Sequence, residues 1–327
     1  MISEAKINKT VEAVFKDIEF PSDPALLYDP IRYMLEAGGK RLRPRLALTT
    51  YSLYRSSFDE SILQPAVGLE IYHQSTLVHD DIIDDSPIRR GAPTVWKKWG
   101  LKTGVLAGDA MVIDAVQRLC QAPEAVRDQV LATFTYMAAQ VMEGQQYDIE
   151  FESRDEVSME EYMEMIGLKT GALIACAAKT GALIGGAGEK DCDNFYEYGY
   201  NLGLAFQITD DYLDSYGDEK TFGKAIGGDI AGGKKTWLTV RAFSKADPAR
   251  KEELLRAFAM PSGSPEERAA KIDAVLSVYN ALNIEEDAKY EILRLNDKAM
   301  DFASCSCSGL RLEVLRRFCE KLVGRTR

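Results

Sequence analysis

A long apolar stretch over residues 65–83 exceeds the length of an ordinary strand and reads as a buried helix. Its far end is acidic: it runs into His79-Asp80-Asp81-Ile82-Ile83-Asp84-Asp85. A helix that must be buried is a poor place for idle charge. The remaining segments have to build an interior around this helix and bring its acidic end to a place where charge has a use.

The rest of the chain offers the same kind of material. Alternating β-branched runs bounded by turns are almost absent. Apolar residues at helical spacing mark 25–37, 44–54, 105–119, 126–149, 159–183, 194–214, 236–243 and 265–282, and 310–321 is amphipathic and basic. The first of these stops at Gly38-Gly39, and Pro44 opens the next. Residues 247–264 are the loosest and read as a surface excursion. No linker or low-complexity segment divides the chain. Apolar residues are 46% of 327, enough for a sizeable core. The expectation is one large all-α domain over residues 1–327.

A net charge of −11 argues against nucleic acid as a partner. No run reaches the roughly 18 apolar residues of a membrane span. The start, Met1 to Lys6, lacks the pattern of a signal peptide, so the expected location is cytoplasmic. Six cysteines without CxxC pairs read as free thiols.

The acidic motif occurs twice. Asp210-Asp211-Tyr212-Leu213-Asp214 repeats the Asp-Asp-x-x-Asp of Asp80 to Asp84, again after an apolar run. In a helix Asp80 and Asp84 share a face, as do Asp210 and Asp214. Stacked carboxylates repel unless a hard cation lies between them. Mg²⁺ suits this role: it takes oxygen ligands and bridges one or two carboxylates to substrate phosphates. The alternative is a solvated acidic surface. An EF-hand loop is absent.

Cations alternate with these motifs. They are Lys40, Arg41 and Arg43 after Gly38-Gly39, then Arg89-Arg90, Lys169-Thr170-Gly171, and Lys224, Lys234 and Lys235 in a glycine-rich loop over 223–236. Arginine forks, lysine point charges and glycine-exposed amides all suit phosphate oxygens. The full Walker A pattern GxxxxGK[ST] is missing. His73 lies two helical turns before Asp80 and can donate to another diphosphate oxygen, or else is a core histidine.

On these residues, together with Phe206-Gln207-Ile208-Thr209 before the second motif, the chain resembles the trans-isoprenyl diphosphate synthases. That group includes farnesyl, geranylgeranyl and longer-chain polyprenyl diphosphate synthases. The resemblance runs over residues 38–236 and is weaker in the C-terminal third. It implies the isoprenoid synthase type I fold, with long helices around a central cavity, as a homodimer. It implies about three Mg²⁺ ions held by Asp80, Asp84 and Asp210, with Asp214 in support. Arg89, Lys169, Thr170, Gln207 and Lys224 would hold an allylic diphosphate, and Lys234 would close the site; Arg89, Lys169 and Lys224 are the expected catalytic cations. Lys40, Arg43, His73 and Arg90 would hold isopentenyl diphosphate. The implied reaction is ionisation of the allylic diphosphate, attack by the isopentenyl double bond and loss of a proton to the departing diphosphate. Phe206, Tyr147 and Phe151 are candidates for an apolar wall that excludes water.

The resemblance puts the floor of the cavity four and five residues before the first motif. These are Thr76 and Ser75, both small where short-chain members often carry an aromatic. A two-residue insertion seen in many bacterial farnesyl synthases is also absent. Both features point to products of twenty carbons or more, although Tyr72 and Met111 could block growth. The expected product is geranylgeranyl diphosphate, with longer chains next and farnesyl diphosphate third. A class I terpene cyclase and a non-catalytic subunit are the alternatives; the full second motif argues against the first and the retained aspartates against the second.

Overall fold

A computed structural model describes residues 2–217 and 226–323. Its helices are α1 (Glu4–Lys16), α2 (Ala25–Glu36), α3 (Leu42–Ser52), α4 (Glu60–Ile83), α5 (Val95–Trp99), α6 (Leu101–Leu119), α7 (Glu124–Glu152), α8 (Met159–Ile166), a π-helical turn (Gly167–Gly171), α9 (Ala172–Gly185) and α10 (Glu189–Tyr216). They continue as α11 (Gly228–Gly232), α12 (Trp237–Lys245), α13 (Pro248–Phe258), α14 (Pro265–Ala281), α15 (Ile284–Ser306) and α16 (Leu310–Val323). The only sheet among the described residues pairs β1 (Ile88–Arg89) with β2 (Ala92–Pro93). The fold is all-α, as expected.

The chain forms two compact units, each drawn from two stretches. One comprises Met1–Tyr136 and Leu173–Tyr196, the other Met137–Ala172 and Glu197–Arg327. In the first unit α4 is the central element. Its start is capped by Asp59, whose side chain accepts from the Ser61 amide at 3.0 Å. Ile62, Leu69, Ile71 and Tyr72 along it are fully buried. It packs antiparallel to α6. Arg118 Nη1 donates to Gln64 Oε1 at 2.6 Å near one end, and His79 Nε2 lies 3.2 Å from the Val105 carbonyl oxygen near the other. This register brings Tyr72 level with Met111.

In the second unit the end of α7, α8 and the π-helical turn join the larger part of α10 and the helices α11 to α16. Its interior includes Tyr198, whose hydroxyl donates to the Leu315 carbonyl at 3.0 Å, and Tyr279, whose hydroxyl lies 2.8 Å from Thr239 Oγ1.

Four segments differ from the expectation. Residues 247–264 are not a loose excursion throughout, because α13 occupies 248–258. Asp247 caps it, accepting from the Arg250 amide at 2.8 Å, and Pro248 fills the first turn. Helices α1 and α15 were not expected. In α15 the buried stripe includes Ala288, Ala299 and Ala303, which dilutes the hydropathic contrast that marks a helix. The segment 159–183 is broken at Gly167–Gly171 by the π-helical turn. Among the described residues no helix is long and apolar enough to cross a membrane. All six cysteines are free thiols.

Candidate active site

In the first unit Asp80 and Asp81 lie in the last turn of α4, and Asp84 is the residue that ends it. The Asp84 amide donates to the Asp80 carbonyl at 2.9 Å, so these two residues are one turn apart. Asp80 is half-buried and Asp84 exposed. Asp81, rotated about 100° from Asp80, is only 2% exposed. Arg89 donates Nε to both Asp81 carboxylate oxygens, at 2.8 and 2.9 Å, and Nη2 to Asp80 Oδ2 at 3.4 Å. Burial nevertheless pushes the Asp81 carboxyl up to about 6 against the pull of Arg89. The outer aspartates can therefore serve a cation while the middle one anchors Arg89.

The hairpin sets Arg89 and Arg90. Ile88 pairs with Pro93 and Arg89 with Ala92. The two turn residues, Arg90 at φ 53° and Gly91 at φ 77°, have the left-handed backbone of a type I′ turn. For arginine this conformation costs about 1 kcal/mol, and such strain is commonly kept where a side chain must be aimed. Arg90 Nη1 donates to the Gly38 carbonyl, beside α3.

Arg43, in the first turn of α3, is buried. Together with Arg90 and Arg89 it acts on His73. Burial first, and then these three positive charges, push the imidazole well below its ordinary value. His73 is therefore neutral at neutral pH and offers one ring N–H as a donor. Arg43, His73 and Arg90 share one electrostatic neighbourhood, while Lys40 lies exposed just before α3.

The expected floor residues lie in the same unit. Ser75, Tyr72 and Met111 are buried and Thr76 is half-buried. Ser75 donates its hydroxyl to the Tyr72 carbonyl at 2.7 Å, and Thr76 to that of His73 at 2.8 Å. Both hydroxyls are thereby turned back onto the helix. The Tyr72 ring meets Phe134 edge-on at 5.1 Å between centroids.

In the second unit Lys169 and Thr170 sit in the π-helical turn, a feature frequent at functional sites. The turn lies backbone-to-backbone against α10: a Cβ at Gly203 would stand 2.7 Å from the Gly171 Cα. This approach lets Thr170 Oγ1 donate to Gln207 Oε1 at 2.9 Å. Gln207 Nε2 in turn donates to Asp211 Oδ1 at 3.0 Å. Asp211 Oδ2 accepts from the Tyr162 hydroxyl at 2.5 Å and from the Trp237 amide at 2.9 Å. Asp211 is 4% exposed; burial, then the charge of Asp229, push it up to about 7. It is the counterpart of Asp81, a buried middle aspartate that anchors neighbours. Lys169 Nζ donates to Asp148 Oδ2 at 2.5 Å.

Asp210 is half-buried and Asp214 buried. The Asp229 amide donates to Asp214 Oδ2 at 2.9 Å, which ties the glycine-rich loop to α10. Lys234 is exposed, with its amide donating to the Asp229 carbonyl at 2.9 Å. Lys224 lies outside the described residues. Of the wall candidates, Tyr147 and Phe151 stack at 6.2 Å, and Phe206 is half-buried.

Asp81, Asp211, Asp148 and Tyr162 were not among the expected site residues. The first two carried a usable signal, because the second aspartate of each motif points away from the face shared by the outer two. Asp148 and Tyr162 carried none, since their partners are remote in sequence.

Among the described residues no three His, Cys, Asp or Glu side chains converge into a ready cation cage. Mg²⁺ needs none, since waters and substrate phosphates complete its shell around one or two carboxylates. The hard oxygen donors of Asp80 and Asp84, and of Asp210, fit that ion.

The family model described as polyprenyl synthetase matches residues 24–276. Over 270 residues the chain is 37% identical to a geranylgeranyl diphosphate synthase of Sulfolobus acidocaldarius, covering 81% of this chain and 82% of that protein. It is also 37% identical, over 236 residues, to a geranylfarnesyl diphosphate synthase of Natronomonas pharaonis, covering 67% and 69%. A crystal structure of a geranylgeranyl pyrophosphate synthase matches with a TM-score of 0.94 at 38% identity, covering 99% of each chain. The matched residues include both acidic motifs and the cations that alternate with them, and the chain belongs to the polyprenyl synthetase family of prenyltransferases.

Proposed function

We propose that this protein condenses isopentenyl diphosphate with an allylic prenyl diphosphate, with geranylgeranyl diphosphate as the main product. The observations that carry this reading are that Arg89 binds Asp81 and Asp80 of the first motif, and that Gln207 links Asp211 of the second motif to Thr170, the neighbour of Lys169. Relatives named geranylgeranyl and geranylfarnesyl diphosphate synthases support products of twenty carbons and more. The small Ser75 and Thr76 favour the same range.

Bound Mg²⁺, about three ions in the loaded enzyme, would neutralise diphosphate charge as a Lewis acid. Asp80 and Asp84 would hold it in the first unit, and Asp210 with Asp214 in the second. Lys169, Thr170, Gln207, Arg89 and Lys224 orient the allylic diphosphate and stabilise its departure, and Lys234 shields it. Lys40, Arg43, neutral His73 and Arg90 fix isopentenyl diphosphate so that its double bond faces the allylic carbon, which makes attack effectively unimolecular. The carbon–oxygen bond to the allylic diphosphate breaks, a carbon–carbon bond forms, and the departing diphosphate takes the proton. Apolar side chains such as Phe206, Tyr147 and Phe151 keep water from the cation.

Residues 1–327 are proposed to act as one catalytic domain, a reading supported by a family match that includes residues of both units. A homodimer is supported by Leu106 and Ile113 of α6, which are 60% and 59% exposed and two turns apart. Free thiols fit the reducing cytoplasm. The test is incubation with Mg²⁺, labelled isopentenyl diphosphate and dimethylallyl, geranyl, farnesyl or geranylgeranyl diphosphate, with products resolved by chain length. Label should accumulate in geranylgeranyl diphosphate from the three shorter primers. A product carrying no isopentenyl label would indicate a cyclase, and no product at all a non-catalytic subunit.

A further inference from the structure

Lys234 is an exposed cation at the end of the glycine-rich loop. It follows Gly232 and Gly233, the latter at φ 71°, so the chain leading into it is conformationally permissive. A lysine that closes over a diphosphate must return to one place, and a flexible stem on a glycine hinge does not do so unaided. Its backbone has to be fixed from outside the loop.

The helix α14, which holds none of the residues of the proposed chemistry, meets the loop at both ends. At the first end Lys271 Nζ donates to the Ala231 carbonyl at 3.2 Å, and Ser262 Oγ, just before α14, donates to the same oxygen at 3.1 Å. Lys271 is 6% exposed. Ile272 fills the space that a Cβ at Gly227 would need. At the other end, two turns further along α14, stands Tyr279. The Lys234 carbonyl accepts from the Thr236 amide at 3.1 Å and from Thr239 Oγ1 at 3.2 Å. Thr239 Oγ1 also lies 2.8 Å from the Tyr279 hydroxyl and 3.0 Å from Thr236 Oγ1.

The hydrogens of this cluster can be assigned. Thr239 has one hydroxyl proton and two lone pairs, and the Lys234 carbonyl can only accept. Tyr279 is fully buried, and burial pushes its phenol above the ordinary value, so it stays protonated. Among the described residues its hydrogen-bond partner is Thr239. A buried hydroxyl that left its proton unpaired would bear the full desolvation penalty. Tyr279 therefore donates to Thr239, and the Thr239 proton is left for the Lys234 carbonyl. The tyrosine also holds Thr239 in one of the two rotamers that threonine can adopt in a helix. Without it, Thr239 can turn and its proton can go to Thr236 Oγ1.

We propose that Tyr279 is a positioning residue that, through Thr239, fixes the backbone of Lys234 so that its ammonium closes over the departing diphosphate. This rests on the reading that Lys234 closes the site.

The test is the single-turnover rate of labelled isopentenyl transfer to bound farnesyl diphosphate in Mg²⁺, measured on the full chain. Tyr279→Phe keeps the buried ring and removes only the hydroxyl. It should lower the rate roughly three- to tenfold, the worth of about one hydrogen bond. In a Lys234→Ala background the same change should lower the rate no further, because no ammonium is left to place. A merely structural loss would act equally in both backgrounds. Thr239→Val should reproduce the effect of Tyr279→Phe, and Thr239→Ser, which keeps the hydroxyl, should react at the wild-type rate. These two carry the test if Tyr279→Phe does not fold. If Lys234→Ala itself leaves the rate unchanged, the closing role of Lys234 fails. If Lys234→Ala lowers the rate while Tyr279→Phe or Thr239→Val does not, Lys234 keeps its role and that of Tyr279 is overturned. Effects that multiply in the double variant would overturn it as well.

Discussion

Gly203→Ala probes the contact that aims Lys169 and Thr170. A Cβ at position 203 would lie 2.7 Å from the Gly171 Cα and 3.4 Å from that residue's nitrogen and oxygen. Comfortable carbon–carbon contact begins near about 3.5 Å, so the two backbones would have to part by roughly 0.8 Å. Neither side can yield by turning a flexible side chain. Overpacking of this kind costs about 1–3 kcal/mol. At about 2–4 °C per kcal/mol for a large domain, Tm should fall by several degrees. The Thr170–Gln207 hydrogen bond, now 2.9 Å, would stretch beyond useful range. A displacement near 1 Å at a catalytic cation can cost about a hundredfold in rate. Calorimetry and isopentenyl incorporation should therefore show a folded protein with lower Tm and turnover reduced by roughly 10- to 100-fold. KM for isopentenyl diphosphate should change little, because its proposed ligands lie in the first unit. Gly188→Ala is the control, since a Cβ there meets nothing within 4 Å. Wild-type Tm and turnover in Gly203→Ala would refute the close approach and the role assigned to it.

Other perturbations test separate parts of the account. Arg89→Lys replaces a fork that reaches both Asp81 oxygens by a point charge, and should lower unfolding stability by about 1–3 kcal/mol in urea titrations; an unchanged midpoint would count against the anchoring role of Asp81. Ser75→Phe fills a buried position one turn from Tyr72 and should shift the product distribution to shorter chains; an unaltered distribution by chromatography would remove Ser75 from the floor. Asp81 and Asp211 have folded-state values near 6 and 7, above the roughly 3.9 of an unfolded chain. The folded protein thus retains protons that the unfolded chain has lost, so their contribution to stability is greatest below about pH 4 and declines as pH rises through 6 and 7. Urea midpoints measured in EDTA from pH 5 to 8 should decline less steeply for Asp211→Asn than for the wild type, and parallel profiles would contradict this.

The two acidic motifs were legible in the sequence because the i, i+4 rule needs only local geometry. Asp80 and Asp84 are indeed one turn apart. The long helices were legible for the same reason, although α15 was hidden by its buried alanines and α13 by its high charge, despite the Asp247-Pro248 start signal. What could not be read is what depends on neighbours remote in sequence. The π-helical turn around Lys169 follows from the meeting of Gly171 with Gly203, 32 positions on, and nothing local announces it.

The central claim is that the carboxylates of both motifs support transfer to isopentenyl diphosphate. It is tested most directly by measuring labelled isopentenyl incorporation for the wild type, Asp80→Asn and Asp210→Asn with farnesyl diphosphate and Mg²⁺, and again after EDTA. The account predicts labelled geranylgeranyl diphosphate from the wild type, loss of incorporation in EDTA with recovery on adding Mg²⁺, and rates at least about a hundredfold lower in either variant while helical content is retained. Incorporation that survives EDTA, or either substitution at an undiminished rate, would contradict it.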